Sequence, residues 1–169
     1  MAPRKVALVT ASSAGLGAAI AKALAFEMRV VINYNSSVDR ANNVLEDLES
    51  IASTSRHDSH IPEPRCLAIQ ADISKRSEIQ RLVSETVAQM GRLDVVVSNA
   101  GWTRVTNFMD LNDNLDEHDW DRCFNVNVKS HLFLLHAARA DLDAAEGAFI
   151  TVASVAGIKP SGSSLVCIL

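Results

Sequence analysis

Short apolar runs alternate along this chain with stretches in which apolar residues recur every three or four positions. Runs of that kind are strands, and the stretches between them have the period of helices packed on a sheet. Lys5 to Thr10 predicts a first strand, followed by a turn of small residues. A helix then begins near Gly15, with Leu16, Ile20, Ala23 and Leu24 on one face. Arg29 to Asn33 predicts a second strand, whose Val-Val-Ile run suits burial on both faces. A second helix is expected from Val38 to about Ser53, capped by Ser36 or Ser37.

The same alternation continues. Arg65 to Ala71 reads as a third strand, and Ser77-Glu78-Ile79-Gln80 as a capping box opening a third helix. That helix places Ile79, Leu82, Val83, Val87 and Met90 on one stripe and ends at Gly91. Leu93 to Ser98 is expected as strand four, a polar loop follows, and a long helical region runs from about Glu117 to Ala144. Ala148 to Ala153 is the fifth strand. Strands alternating with helices in this way predict an α/β fold: a three-layer, doubly wound parallel sheet in a single domain over residues 1–169. The alternation halts after strand five. The sheet is therefore expected to be incomplete on its C-terminal side, with Ala148 to Ala153 as an apolar edge lacking charge or proline.

Composition narrows the function. Apolar residues make up 48% and charged ones 21%, enough core material for a globule. The formal net charge of −4 supplies no basic face for a phosphate backbone, so no nucleic-acid partner is expected. Met1 to Lys5 lead directly into the first strand without an apolar leader, and no apolar run is long enough to span a bilayer. Cys66, Cys123 and Cys167 lie far apart with no metal-ligand spacing. His57, Asp58 and His60 fall in a polar connection between Ser53 and Pro64 that reads as a solvated loop. A cytoplasmic, metal-free protein is expected.

The candidate chemistry begins at Thr10-Ala11-Ser12-Ser13-Ala14-Gly15-Leu16-Gly17, where strand one turns into helix one. A helix N-terminus offers backbone N–H groups and the positive end of a dipole, and small side chains let a pyrophosphate approach them. Small residues at such a junction also serve close packing alone.

The turn resembles the Thr-Gly-x-x-x-Gly-x-Gly pattern of the short-chain dehydrogenase/reductase family, with Ala11 in place of the first glycine. A methyl group there costs little at negative φ and about 1–2 kcal/mol in the left-handed region. Further matches follow in the family's order. Asp72-Ile73 is similar to the aspartate segment that bonds the adenine amino group, and Ser98-Asn99-Ala100-Gly101 resembles Asn-Asn-Ala-Gly. Asn127 matches the asparagine of the proton relay, and Ser154, in Phe149 to Gly157, matches the serine that positions a substrate carbonyl. The resemblance implies a Rossmann-like fold and NAD(P)-dependent hydride transfer between nicotinamide C4 and a small-molecule carbonyl or alcohol. Its implied cofactor contacts are Thr10, Ser12, Ser13, Gly15, Leu16, Gly17, Tyr34, Asn35, Ser36, Asp72, Ile73, Asn99, Ala100 and Gly101, with Asn127 and Ser154 catalytic.

Two departures matter. The family's tyrosine is expected thirteen residues beyond Ser154, where Cys167 stands, and its lysine would fall at 171, past Leu169. Tyr34, the only tyrosine, belongs to strand two. The chain alone is therefore expected to be catalytically inactive, and its alternatives are a non-catalytic NADP(H)-binding module or a truncated splice product without a stand-alone role. The end of strand two, Asn33-Tyr34-Asn35-Ser36-Ser37, carries no acidic residue to hold the ribose hydroxyls of NAD, so NADP(H) is favoured and NAD(H) stays open. Ala14, where many NADP-using relatives carry a basic residue, argues the other way. A homo-oligomer is implied for complete relatives and stays open for this chain.

Overall fold

The computed structural model describes residues 4–54, 64–159 and 164–167. The connection that carries His57, Asp58 and His60 lies outside the described residues, as does the side chain of Cys167.

Five parallel strands form one sheet: β1 (Val6–Val9), β2 (Arg29–Tyr34), β3 (Cys66–Gln70), β4 (Val95–Ser98) and β5 (Ala148–Thr151). Their spatial order is β3-β2-β1-β4-β5. The chain winds outward from β1 through β2 to β3, then crosses back to β4, so the order reverses between β1 and β4. A crevice opens there at the carboxyl ends of the strands. Val6 pairs with Arg29 on one side of β1, and Leu8 pairs with Val96 on the other.

Helices cover both faces because β side chains alternate. Val6 and Leu8 of β1 point to the face covered by α3 (Arg76–Met90) and α5 (Ser130–Ala145), where Ile79, Leu82, Leu134 and Ala138 are buried. Val9, Val30 and Ile32 pack on the opposite face against α1 (Gly15–Leu24) and α2 (Val38–Thr54). Ala18, Ala21, Ala25 and Ala41 line that contact, so both helices approach the sheet closely. Each fully buried leucine or isoleucine stabilises the fold by about 1.5–3 kcal/mol.

The expected elements are present, most with ends shifted by one or two residues. Ser37 accepts a backbone bond from Ala41 N at 3.2 Å at the start of α2. The capping box at Ser77 does not form. Helix α3 starts at Arg76, two residues earlier than a Ser77 cap requires, its cap residue is Lys75 without a side-chain cap, and the Glu78 carboxylate accepts from Asp72 N at 2.7 Å. The turn after β3 needs an acceptor at Asp72, and Glu78 is one helical turn into α3, close enough to supply it. Gly91 ends α3 at φ 78°, in the left-handed region that glycine tolerates.

The long helical region is interrupted. Helix α4 (Glu117–Phe124) passes into α5 through a π-helical turn, Asn125–Lys129, which carries Asn127. Such single-turn widenings gather at functional sites. Strand β5 is half-covered at most: Ile150 is 49% exposed, and Val155 and Ile158 beyond it are more so. No helix among the described residues is long and apolar enough to cross a membrane.

Candidate functional site

The turn after β1 is fastened from both neighbouring strands. On the β4 side, Thr10 N donates to Val97 O at 3.0 Å, and Thr10 Oγ1 accepts from Asn99 N at 3.0 Å and Ala100 N at 3.2 Å. The Asn99 side chain returns the contact, donating from Nδ2 to Thr10 O at 3.0 Å and Ala11 O at 3.3 Å. On the β2 side, Ala11 N donates to Asn33 Oδ1 at 3.1 Å, and Ser12 Oγ accepts from Asn33 N at 3.1 Å while donating to Val9 O at 2.6 Å. Asn33 Nδ2 reaches on to Ile69 O and Ala71 O of the β3 segment. Thr10, Ser12 and Asn33 are buried, so their side chains hold the turn's shape and leave the backbone to face outward.

This shape forces Ala11 to φ 50°. The left-handed region costs an alanine about 1–2 kcal/mol. Glycine would remove that cost but add chain entropy to the unfolded state, about 0.4–1 kcal/mol. Ala11→Gly is therefore expected to stabilise the chain by about 0.8 kcal/mol, the difference between the midpoints of those terms. Urea unfolding checks it: the midpoint rises with an unchanged m-value, and an equal or lower midpoint contradicts the strain.

Gly15 is also left-handed, at φ 56°, with open space on its side-chain side, and Ala14 caps α1 without a side-chain bond. The first N–H groups of α1 are thus not masked by a capping side chain. Ser13 is half-buried and Leu16 is 59% exposed, both on the outer side of the turn.

Beside the turn lies a cavity of about 480 Å³ bounded by Ala11, Asn35, Asp72 and Ile73 on one side and Arg122 and Val126 on the other. Burial by itself would raise the pKa of Asp72, but hydrogen bonds from Ser74 N and Oγ and the charge of Lys75 outweigh it and hold the carboxyl below the usual range. Asp72 stays ionised and an acceptor. Arg122 lies over the Trp102 ring, 4.7 Å from its centroid. Tyr34 is half-buried against the α1–α2 core and Ser36 is exposed; neither lines this cavity.

A second cavity of about 530 Å³ holds Asn127 and Ser154. The two cavities share Ala100, Gly101 and Trp102, so they adjoin along the segment after β4. Asn127 is anchored to that segment: Oδ1 accepts from Trp102 N at 2.7 Å and Nδ2 donates to Trp102 O at 2.9 Å. Ser154, exposed three residues past the end of β5, accepts from Ala156 N at 3.2 Å. His131, one turn of helix beyond Asn127, also lines the cavity and bonds Ser98 Oγ through Nδ1 at 2.6 Å. Burial pushes its pKa below the ordinary histidine value.

Sequence reasoning missed His131, Arg122 and Asp94. A usable signal existed for the first alone: Ser98 replaces the asparagine of the Asn-Asn-Ala-Gly pattern and implies a new partner. Asp116, His118 and Asp119 bring ligand-type atoms within 4.8 Å of one another. Asp116 accepts from His118 N as the cap of α4, and Asp119 pairs with Arg104, which accounts for their positions.

Fold and site together define a Rossmann-type α/β domain with its cleft at the β1/β4 reversal. The short chain dehydrogenase family model matches residues 5–166, and the chain belongs to the short-chain dehydrogenase/reductase family. It is 36% identical over 154 residues to the "Probable tetrahydroxynaphthalene reductase" of Zymoseptoria tritici, covering 90% of this chain and 52% of that one. It is 37% identical over 139 residues to the hydroxynaphthalene reductase-like protein Arp2 of Metarhizium guizhouense, covering 82% and 46%. The chain thus spans about half the length of the curated relatives it matches. Among solved structures, the short-chain dehydrogenase/reductase from Serratia marcescens superposes with a TM-score of 0.81 at 31% identity, covering 98% of this chain and 62% of that one. A short chain dehydrogenase from Burkholderia cenocepacia, solved in complex with NADP, superposes at 0.79 with 31% identity, covering 98% and 60%.

Proposed function

We propose that this chain is the cofactor-binding part of an NAD(P)-dependent oxidoreductase that interconverts a carbonyl and an alcohol. The observation that carries this reading is the pair of adjoining cavities on one cleft. One runs from the β1 turn to Asp72, the other holds Asn127 and Ser154. The first suits the adenosine end of a dinucleotide, where the ionised Asp72 accepts from an adenine amino group, and the open N–H groups at the start of α1, whose Leu16 lines the second cavity, meet the phosphates between the two. A bound nicotinamide would supply the hydride chemistry. Ser154 then orients a carbonyl oxygen by donating its hydroxyl hydrogen, while Asn127, clamped to Trp102, fixes the π-helical turn beside it. The neutral segment Asn35 to Ser37 avoids repelling a 2′-phosphate, so NADP(H) is favoured.

Cys167 stands where the family's proton-exchanging tyrosine is expected. Ser154 alone orients without transferring a proton, so the chain by itself binds cofactor and does not turn over, which is the behaviour of a non-catalytic NADP(H)-binding module. Calorimetric titration tests the first half: NADPH is expected to bind more tightly than NADH, and a folded chain that binds neither overturns the reading. NADPH oxidation with polyhydroxylated naphthalenes or their keto forms, the first substrates to try given the relatives' names, tests the second. No carbonyl-dependent turnover is expected. Turnover abolished by Ser154→Ala would overturn the inactivity and reveal another acid.

A further inference from the structure

Ser98 ends β4 with its side chain buried, and its hydroxyl lies 2.6 Å from Nδ1 of His131 on α5. That bond fixes the imidazole across a separation of 33 residues. The ring is half-buried and its burial favours the neutral form. A neutral imidazole engaged at Nδ1 has one nitrogen left. When Ser98 donates, Nε2 carries the proton and is a donor; when Nδ1 donates, Nε2 is an acceptor. His131 therefore presents to its surroundings a single polar atom that serves a ligand hydroxyl in either tautomer.

Those surroundings are the cavity of Asn127 and Ser154, in which His131 is the only ionisable side chain among the described lining residues. The rest of the wall is Trp102, Val152, Ala156 and Leu16, with hydroxyl, amide and backbone groups between them. A flat apolar ring fits the apolar part, and a polar substituent needs a partner there.

We propose that the Ser98–His131 pair is a substrate-anchoring site, in which Nε2 of His131 hydrogen-bonds a hydroxyl of a phenolic ligand whose reacting oxygen lies at Ser154. The proposal rests on reading this cavity as the carbonyl end of the cleft. It makes His131 a binding residue and Ser98 the residue that positions it.

The experiment uses the full chain with nitrogen-labelled histidine, saturated with NADP+ and titrated with tetrahydroxynaphthalene. The Nε2 resonance of His131 is expected to move on addition of the naphthol, while those of His118 and His136 do not. His131→Leu is expected to weaken naphthol binding by about tenfold, the loss of one hydrogen bond, and His131→Gln to keep most of it. NADP+ affinity, measured on the same samples, stays unchanged in both variants. Wild-type chain that fails to bind NADP+ refutes the oxidoreductase reading itself. Wild-type chain that binds NADP+ but not the naphthol, or binds both with an unmoved His131 resonance, overturns the anchoring role alone. Equal naphthol affinity in His131→Leu does the same, and should that variant not fold, the wild-type resonance still decides.

Discussion

Replacing Asp94 by alanine is expected to destabilise the chain by about 2–4 kcal/mol. Asp94 precedes β4 and is 2% exposed at its side chain. Its Oδ2 accepts from Val6 N at 2.8 Å and from Arg92 Nε at 2.8 Å, and its Oδ1 accepts from Arg92 Nη2 at 2.5 Å. Its backbone completes the junction, with Asp94 N donating to Val6 O and Asp94 O accepting from Ala148 N. One residue thus joins the entrances of β1, β4 and β5. Alanine leaves the Val6 N–H without that acceptor in a position fully shielded from water, which costs about 1–3 kcal/mol. Loss of the charge-assisted Arg92 pair adds to it, limited because the Arg92 side chain is 30% exposed and is rehydrated. Asp94→Asn keeps one acceptor oxygen and is expected to lose roughly half as much. Urea unfolding with matched m-values checks both, and a loss below about 0.5 kcal/mol in the alanine variant would show the junction to be held by the strand ladder alone.

The second large effect is at Gly17. A Cβ placed there would lie 2.5 Å from Asn99 Nδ2, 2.6 Å from Ala11 O and 2.9 Å from Ser12 Cα. Two of those three atoms are backbone, and the third belongs to the amide that fastens the turn to Thr10 and Ala11. Relief therefore requires moving the turn itself. Gly17→Val is expected to cost about 1–3 kcal/mol, the range for overpacking a well-filled site. Because the displaced turn is the proposed phosphate cradle, NADPH affinity is expected to fall by at least tenfold, equivalent to about 1.4 kcal/mol. Gly15, which faces open space, separates the causes: Gly15→Ala is strained by its positive φ but clashes with nothing. A Gly17→Val variant with wild-type stability and wild-type cofactor affinity would show that the turn's geometry serves neither.

The two glycines illustrate how far local pattern reaches. The string from Thr10 to Gly17 identifies a strand-to-helix turn with small residues, because that is a property of adjacent positions. The separate tasks of its members depend on what the rest of the chain places against them. Gly17 is required for contact with Asn99, and Thr10 meets Val97, Asn99 and Ala100 at separations of 87 to 90 residues. Asn33 looked in the sequence like the end of a cofactor-facing strand. In the fold it is a buried brace for the turn that also lines the cavity, with the exposed Asn35 beside it.

By itself the sequence determined the five strands, the helices between them, and the positions of Asp72, Asn99, Asn127 and Ser154 on those elements. Periodicity and turn residues act between near neighbours, and the motifs keep their order along the chain. Tertiary structure alone decided the left-handed φ of Ala11, which is set by bonds from Asn33 and Asn99 and not by any preference of alanine. It decided the failure of the Ser77 capping box, since the helix starts at Arg76 and places Ser77 inside its first turn, while Glu78 serves the Asp72 N–H. It also decided that Ser98 and His131 form a pair and that Asp94 joins three strands, because a hydrogen bond between distant residues depends on crossover geometry that no local pattern encodes.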